Sequence, residues 1–519
     1  MLISSTISIA RSEVTPLRVC AKIPRNASEE RQQVDDSTDS DLKIFYYDQN
    51  LDHFTFTPKS YMTFQQRYAI QSKHWAGAND NAPILAYLGE ESSLETDLSV
   101  IGFLRDNGPR LKALLVYIEH RYYGTSMPFG SGKEALKNAS TLGYLNSAQA
   151  LADYAAILLH VKEKYSADHS PIIVIGGSYG GMLAAWFRLK YPHIALGALA
   201  SSAPLLYFQD TLPKHGYYYI VTKVFKETSE SCYNTIRKSW EEIDRVAVKP
   251  NGLLILSKKF RICNTLNNTF ELKNFLDTFY ASAAQYNSNQ YPVASLCEAI
   301  NNGVNSENDL LGQIFAGVVY DRGNRSCYPL SVQPTEDSIA WKWQTCSEIV
   351  LPIGHDEQDT MFQTEPFRMD IKIDRCKLQY GVPPRPHWVT AYYGIQDVKL
   401  ILRRFGSNII FSNGLLDPYS VGGILEDISA TIVALTTPEG SHCRDIVLKN
   451  VDDPEWLLLQ RKKEIEIINL SNNVALIDYH SETDTSDASH YSSEDEKRIT
   501  TEEATMQYES AILLRMNLM

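Results

Sequence analysis

The sequence predicts an α/β protein in which a mainly parallel β-sheet is covered by helices on both faces. Short, continuous and β-branched apolar runs such as Ile84–Leu88 and Pro171–Ile175 are typical of buried parallel strands. Such runs alternate with helical patterns between about residue 44 and residue 205, and they resume near residue 408. From about 206 to 395 helical patterns replace them, which predicts a mainly helical domain inserted into the α/β domain.

The individual elements follow in chain order from the same reasoning. Ala, Leu and Ile recur on one face of Ser147–Lys164, which predicts an amphipathic helix. The other apolar runs are short and β-branched or small-residue rich, and each is followed by loop residues. The strands predicted in this way are Ile84–Leu88, Ala113–Ile118, Pro171–Ile175, Leu196–Ser201, Asn408–Phe411 and Thr431–Leu435.

A chain of 519 residues is too long to fold around one simple hydrophobic core, which indicates two domains with additional segments. We place a leader or flexible arm at 1–43, the first part of the α/β domain at 44–205 and a helical cap insertion at 206–395. The second part of the α/β domain follows at 396–470, and a disordered acidic tail at 471–519. The tail is expected because its composition is rich in Ser, Thr, Asp and Glu, with little to bury.

The composition excludes several classes of partner. A formal net charge of −13 argues against nucleic acid and provides no basic stripe for a membrane surface. No stretch approaches the roughly 18 apolar residues of a transmembrane helix. No Cys or His spacing indicates zinc, so we predict neither a metal nor a cofactor. The oligomeric state is left open, with a homodimer as one option.

Cysteine usage indicates an oxidising compartment. Clustered cysteines in an even number predict disulfides, here three of them. Sequons at Asn138, Asn267 and Asn324 are candidate glycosylation sites in such a compartment. The N-terminal stretch Met1–Ala10 is nevertheless a poor signal peptide, because it lacks a basic region and Ser and Thr interrupt its apolar run. The six clustered cysteines are Cys232, Cys263, Cys297, Cys327, Cys346 and Cys376.

A Gly-Gly-Ser-Tyr-Gly sequence at Gly176–Gly180 follows the predicted strand Pro171–Ile175. G-x-S-x-G between a strand and a helix is the nucleophile-elbow motif. Its first and last glycines leave room for a sharp turn where a Cβ would collide with the flanking elements. We expect the helix to start at Gly181 or Met182, and Ser178 to stand exposed at the strand end as the candidate nucleophile.

Two downstream residues can complete a catalytic triad with this serine. A serine hydroxyl needs a base, and the base needs a third group that orients it. In the α/β-hydrolase arrangement an acid and then a histidine follow the serine, each at the end of a strand. Asp417 follows the predicted strand Asn408–Phe411, and His442 follows Thr431–Leu435. Asp417 and His442 are therefore the candidate acid and base for Ser178.

Several segments together resemble one family. They are Leu51–Phe54, Phe64–Tyr68, Glu119–Gly130, Gly176–His193, Ser412–Gly423 and Glu439–His442. They resemble the proline-specific serine carboxypeptidases of the lysosomal Pro-X carboxypeptidase type, whose close relatives are dipeptidyl aminopeptidases. The resemblance implies an α/β-hydrolase fold with a helical cap inserted, and the roles given above for Ser178, Asp417 and His442.

The resemblance also implies an activity and a location. The implied activity is acyl-enzyme cleavage of a C-terminal residue after a penultimate proline, with peptides containing proline as substrates. Release of N-terminal X-Pro dipeptides is the alternative. A carboxylester hydrolase or lipase is a more distant one, because no HGGG-type oxyanion motif is present. The implied location is the lysosome or vacuole, or the extracellular space.

The resemblance and the motif also give candidate binding groups. The backbone N–H groups of Tyr179 and Glu91 are the candidate oxyanion donors, since one follows the nucleophile and the other lies in the loop after an early strand. Proline has no N–H to recognise, so a small apolar pocket lined by aromatic residues is expected. Candidates for that pocket are Met182, Tyr419, Trp341, Trp343 and Met361.

Three positions depart from the pattern of the family. Tyr419 stands where the family has Trp, Val421 replaces a glycine, and Cys443 replaces a second histidine after His442. Cys443 is accordingly a candidate free thiol beside the site. These departures leave the candidate triad intact and bear on the shape of the pocket.

Overall fold

The structure is a computed structural model that describes residue 20 and residues 41–303, 309–330, 334–355 and 360–486. Most of the range 1–43, predicted as a leader or flexible arm, lies outside the described residues. The range 487–519, most of the predicted disordered tail, lies outside them too. The last helix, Glu455–Ser486, continues past residue 470, where the sequence predicts that the tail begins.

An eight-stranded sheet forms the centre of the molecule. Its strand order is β1-β2-β4-β3-β5-β6-β7-β8. The six strands from β4 to β8 in this order run parallel, whereas β1 and β2 are antiparallel to their neighbours. The chain therefore has the α/β-hydrolase fold predicted from its sequence. The strands are β1 (Leu42–Asn50), β2 (Thr63–Gln71), β3 (Ile84–Leu88), β4 (Leu114–Ile118), β5 (Ile172–Gly177), β6 (Ala195–Ser201), β7 (Ile409–Gly414) and β8 (Ile432–Thr437).

The six predicted strands are all present in the parallel part of the sheet, with ends that differ by a few residues. The antiparallel pair β1 and β2 was not predicted from the sequence pattern. Polar side chains occur throughout β1, and most of its residues are exposed or half-buried because it forms the edge of the sheet. An edge strand of this kind lacks the continuous apolar run by which a buried parallel strand is recognised.

Helices cover both faces of the sheet and fill the insertion. Those before β6 are α1 (Leu94–Val100), α2 (Phe103–Leu111), α3 (Gly132–Ala135), α4 (Ala139–Leu142), α5 (Ser147–Tyr165) and α6 (Ser178–Lys190). Nine helices lie within the range 206–395: α7 (Gly216–Thr228), α8 (Glu230–Ala247), α9 (Gly252–Lys259), α10 (Thr269–Gln285), α11 (Val293–Asn302), α12 (Leu310–Arg322), α13 (Glu336–Ser347), α14 (Met369–Tyr380) and α15 (Trp388–Tyr393). The last two are α16 (Val398–Phe405) and α17 (Glu455–Ser486). None of the helices in the described part of the chain has the length and apolarity needed to cross a bilayer.

The hydrophobic core lies on the two faces of the sheet. Successive side chains of a strand point to opposite faces. In β3, Ile84, Ala86 and Leu88 accordingly pack in the core that includes α5, α6 and the insertion. Leu85 and Tyr87 pack in the second core, which includes residues of α2 and α17. Both faces of the central strands are thus buried away from water, as their continuous apolar sequence requires.

The six clustered cysteines form three disulfides, as predicted. The pairs are Cys232–Cys297, Cys263–Cys327 and Cys346–Cys376, and all lie within the helical insertion. The hypothesis that Cys443 is a free thiol is wrong. Cys443 is bonded to Cys20, which is buried against the end of β5 although it belongs to the range predicted as a flexible arm.

The candidate glycosylation sites Asn138, Asn267 and Asn324 are all exposed. Asn138 caps helix α4 through its side chain, and the side-chain amide of Asn267 donates a hydrogen bond to Glu271. Glycosylation at these positions stays a prediction, with no steric obstacle from burial of the three side chains.

One buried ion pair ties three parts of the α/β domain together. The Arg121 guanidinium, in the loop after β4, donates to Asp153 of α5 at 2.7 Å, and both side chains are fully buried. Its remaining N–H groups donate to the carbonyl oxygens of Asn50 and Leu51, at the end of β1 and just after it, and of Tyr144, before α5. The planar guanidinium group of arginine carries five N–H donors, so it can bind several acceptors at once better than the single ammonium group of lysine can.

The Arg121→Met variant is expected to lose about 3–5 kcal/mol of unfolding free energy, because Asp153 would stay buried without its guanidinium partner and would keep only the imidazole of His53 beside its carboxylate among the described residues. Urea unfolding followed by tryptophan fluorescence measures this loss. The matched control is Arg110→Met at the exposed end of α2, which should change the unfolding free energy by no more than about 0.5 kcal/mol. A loss below about 1 kcal/mol for Arg121→Met would contradict the structural role of the pair.

Candidate active site

Ser178 occupies a strained turn between β5 and α6. Its backbone φ is 55°, in the left-handed region that a non-glycine residue rarely adopts. A Cβ at Gly176 would overlap the carbonyl group of Gly180, so the strand and the helix meet with no room for a side chain. The helix begins at Ser178 and not at Gly181 or Met182, because the chain enters it directly from the strand without a loop.

Asp417 and His442 form a buried hydrogen-bonded pair. His442 Nδ1 lies 2.7 Å from Asp417 Oδ2. The second carboxylate oxygen of Asp417 accepts a hydrogen bond from the Tyr419 N–H at 3.0 Å. The two oxygens thus have different partners, which fixes the carboxylate and, through it, the imidazole ring. An imidazole ring that is hydrogen-bonded at Nδ1 in this way directs its Nε2 atom away from Asp417.

The sheet brings Ser178 close to this pair. β5, β6, β7 and β8 are parallel neighbours, so the loops that follow them meet at one edge. A Cβ at Gly177 would lie 2.9 Å from the sulfur of Cys443, which places the residues before Ser178 and after His442 side by side. Ser178 Oγ and His442 Nε2 are both buried, and neither has a hydrogen-bond partner among the described residues.

The expectation that Ser178 stands exposed is wrong. Its exposed fraction is 0%, and those of Asp417 and His442 are 1%. The helical insertion covers the strand ends and holds the histidine directly, since the His442 N–H donates to the Gln285 carbonyl at the end of α10 at 3.1 Å. The site is therefore enclosed between the sheet and the insertion.

The His442 loop is held from the side of the sheet as well. The Cys443 N–H donates to Ser202 Oγ at 2.9 Å, just after β6. The disulfide to Cys20 follows on the same residue. Cys20 was not predicted as the partner of Cys443, although the even total of eight cysteines left one partner for Cys443 once six were paired.

The two candidate oxyanion donors follow adjacent strands, β5 and β3. Tyr179 is the second residue of α6, so its N–H is among the amides that have no acceptor within the helix. Glu91 lies in the loop after β3, which is the parallel neighbour of β5. The Tyr179 side chain points elsewhere, because its hydroxyl lies 2.8 Å from Gln344 Nε2 and 3.1 Å from His120 Nε2. The oxyanion roles stay predictions.

The candidate pocket residues are all buried, but they do not share one place. The Tyr419 ring lies 5.6 Å from the His442 ring, and Trp341 lies 5.6 Å from Tyr179. Met182 is in α6, one turn after Ser178. Tyr419 thus lies near the histidine and Met182 follows the serine along α6, whereas Trp341 packs on the Tyr179 ring.

For two of the candidates the described partners are residues outside the triad. Trp343 donates to the Leu145 carbonyl at 3.2 Å and packs on Tyr380 in a separate cluster. The Met361 carbonyl accepts from Trp240 at 2.7 Å. Tyr286 and Tyr217 take positions that the sequence did not single out: Tyr286 lies 6.3 Å from the His442 ring, and Tyr217 lies 4.9 Å from the Tyr419 ring.

A group of buried carboxyl groups lies beside the site. Burial raises the pKa of Glu90 and of Asp97 well above the ordinary range, and neighbouring carboxylates act in the same direction. Burial also raises the pKa of Glu91 to about 7, opposed by the nearby His442. Glu90 has a defined partner, since its carboxylate accepts from the Cys20 N–H at 3.1 Å. No sequence motif pointed to these side chains.

A cavity of about 320 Å³ lies in the helical insertion, lined in part by Tyr218, Asp277 and His355. Ser178, Asp417 and His442 do not line it. The described residues include no group of three or more His, Cys, Asp or Glu side chains arranged to hold a metal ion.

Comparisons with known proteins agree on one family. The model of the family Serine carboxypeptidase S28 matches residues 49–464. The lysosomal Pro-X carboxypeptidase of Homo sapiens is 38% identical over 440 residues, covering 81% of this chain and 86% of that protein. The prolyl carboxy peptidase like protein 5 of Caenorhabditis elegans is 30% identical, covering 80% of this chain and 87% of that protein. The thymus-specific serine protease of Homo sapiens is 27% identical, covering 81% and 85%.

The geometry predicts that Ser178 reacts with a fluorophosphonate and that Asp417 supports this reaction. Ser178→Ala should abolish labelling, and Asp417→Asn should slow it by at least about 100-fold, because His442 would lose the group that orients it. Gel fluorescence against time measures the rate.

The matched control is Asp452→Asn, an exposed carboxylate after the histidine loop, which should label like the unmodified chain. Labelling of Ser178→Ala at the unmodified rate would show that another nucleophile reacts. An unchanged rate for Asp417→Asn would show that the buried pair does not serve the serine.

Proposed function

Because the chain belongs to the serine carboxypeptidase S28 family, we propose that it removes the C-terminal residue of peptides whose penultimate residue is proline. The observation that supports a serine mechanism is the buried Asp417–His442 pair at the edge of the sheet where Ser178 lies. The direction of cleavage rests on the relatives, since the mammalian proteins at 36–38% identity carry the name lysosomal Pro-X carboxypeptidase.

The proposed first step is acylation of Ser178. His442 Nε2 removes the hydroxyl proton, and Ser178 Oγ attacks the carbonyl carbon of proline. The Asp417 carboxylate holds the imidazole through Nδ1 and stabilises the cation that forms. His442 then gives the proton to the leaving amine, and water hydrolyses the acyl-enzyme by the same route. Closing the gap between Ser178 Oγ and His442 Nε2 is part of substrate binding, as is common for catalytic groups in unliganded sites.

The negative charge of each tetrahedral intermediate needs donors that are already in place. We assign this role to the backbone N–H groups of Tyr179 and Glu91. Support comes from the parallel pairing of β3 with β5, which sets the two loops at the same edge of the sheet. The N-terminal end of α6 adds a favourable partial positive charge.

We assign recognition of the proline ring to the aromatic surface near His442. Tyr419 and Tyr286 pack near the imidazole, and Tyr217 packs on Tyr419. With Met182, these side chains offer apolar contacts to a ring that has no N–H to bind. Tyr419 and Tyr217 are buried, so a proline bound against them would be shielded from water.

Release of X-Pro dipeptides from the N-terminus is the second candidate. The acidic side chains beside the site support it, since a carboxyl group that ionises when the peptide binds would attract the ammonium group of a peptide N-terminus. The two candidates break the same Pro–Phe bond in Ala-Pro-Phe, so only the requirement for a free terminus separates them.

We propose the lysosome, the vacuole or the extracellular space as the working location. The four disulfides require an oxidising compartment. Several relatives are named as lysosomal proteins. The exposed sequons at Asn138, Asn267 and Asn324 are compatible with passage through a secretory route.

Peptides with blocked termini test the proposal. The protein should release phenylalanine from acetyl-Ala-Pro-Phe as well as from Ala-Pro-Phe, and cleavage of Ala-Pro-Phe-amide should be at least about 100-fold slower. Mass spectrometry identifies the products.

Acetyl-Ala-Ala-Phe is the control peptide for the proline requirement, and Ser178→Ala is the control protein. Cleavage that needs a free N-terminus and tolerates the C-terminal amide would overturn the carboxypeptidase proposal in favour of the aminopeptidase. Cleavage retained in Ser178→Ala would overturn the mechanism.

A further inference from the structure

The Glu91 carboxyl group is enclosed at the candidate site without a partner. Its residue is 8% exposed, and neither of its oxygens has a hydrogen-bond partner in another described residue, although the N–H group of Glu91 itself lies near enough to lower the pKa of the carboxyl group. Buried polar atoms in proteins are almost always paired, because an unpaired one loses its hydrogen bonds to water without replacement. A buried carboxyl group without a side-chain partner beside a reactive centre is therefore a candidate ligand-binding group.

Burial favours the neutral form of the Glu91 carboxyl group, whereas the charges around it act in both directions. Asp337 from α13 of the insertion raises the pKa of Glu91, and the N–H group of Glu91 itself and His442 lower it. Glu91 in turn raises the pKa of Glu90 in its own loop and of Asp97 in α1. The phenols of Tyr87 and Tyr123 also face this group of acids. The single base among these groups is His442. Burial, the largest effect, raises the pKa of Glu91 to about 7.

A neutral carboxyl group can donate one hydrogen bond, whereas a carboxylate can only accept. The side chains whose charges act on Glu91 are His442 and Asp337, and neither is a lysine or an arginine. A substrate carboxylate that reaches this place would therefore be bound by donation from a neutral acid and not by an ion pair. Charge-assisted hydrogen bonds of this kind are short and strong.

The leaving residue of a carboxypeptidase substrate brings its carboxylate near His442. Its nitrogen receives a proton from His442 Nε2, and its carboxylate carbon is only two covalent bonds from that nitrogen. Glu91 interacts electrostatically with His442, which places it within range of the same region. The loop that carries Glu91 follows β3, the parallel neighbour of β5, so the Glu91 carboxyl group and the substrate carboxylate lie at the same edge of the sheet.

We propose that the neutral Glu91 carboxyl group donates a hydrogen bond to the α-carboxylate of the leaving residue, and so selects peptides with a free C-terminus. The inference rests on the proposed carboxypeptidase function and names the residue that recognises the terminus. No atom is transferred in this contact, since Glu91 keeps its proton while the substrate binds.

The sign of the pH dependence follows from the raised pKa of Glu91. Below about pH 7 the side chain holds its proton and donates to the carboxylate. Above that value it ionises, and two carboxylates then repel each other. KM for free-acid peptides should accordingly rise with pH above about 7, while KM for the corresponding amides should not follow this rise.

The Glu91→Gln and Glu91→Leu variants test the contact. Glutamine donates from its amide without a titrating proton, so KM for acetyl-Ala-Pro-Phe at about pH 5 should stay within about threefold of the unmodified chain and should no longer rise with pH. Leucine cannot donate, so KM should rise about 10- to 100-fold. The preference for the free acid over the amide should fall by a similar factor.

Two controls accompany these variants. Glu134→Leu makes the same substitution at an exposed position and should leave KM unchanged. Labelling of Ser178 with a fluorophosphonate shows that each variant is folded around its nucleophile.

An unchanged KM and an unchanged preference for the free acid in Glu91→Leu would overturn the inference. Equal damage in Glu91→Gln and Glu91→Leu would overturn it as well, since it would show that an ionised carboxylate is needed, as for an ammonium ligand. Failure of the proposed function is recognised separately, because the unmodified protein itself would then cleave the amide or require a free N-terminus.

Discussion

The close contact between β5 and α6 is the constraint on which the rest of the site depends. The strand passes into the helix at Ser178 with no intervening loop, and the glycine at position 176 lies against the backbone of Gly180. The serine is held in a backbone conformation that costs about 1–3 kcal/mol. Such a conformation persists only when its surroundings enforce it, and here the two dry faces of the sheet do so.

The insertion is a structural part of the site as well as a cover. It fixes His442 through the Gln285 carbonyl, and it excludes water from Ser178 and from the Asp417–His442 pair. The same exclusion of water keeps the nearby acids from ionising at their ordinary pH. Burial of the site by the insertion therefore determines both the strength of the hydrogen bonds at the serine and the protonation of the carboxyl groups beside it.

The sequence was sufficient for the parallel sheet, the elbow and the order of the candidate triad, because each depends on local pattern. Ile84–Leu88 shows this most clearly, since the predicted and observed strand have the same ends. What could not be predicted depends on residues far apart in the chain. The bond of Cys20 to Cys443, the burial of Ser178 and the unpaired Glu91 carboxyl group all arise from packing between the insertion, the sheet and the N-terminal region.

The eight cysteines divide the covalent framework into two independent sets. Three bonds join residues inside the insertion, and the fourth joins Cys20 to Cys443, both outside it. No cysteine is left over, so no disulfide fastens the insertion to the sheet. The insertion is cross-linked internally, and it is joined to the sheet by its two chain crossings and by non-covalent contacts. The contacts that enclose Ser178, such as the hydrogen bond from the His442 N–H to the Gln285 carbonyl, can therefore separate without breaking a covalent bond.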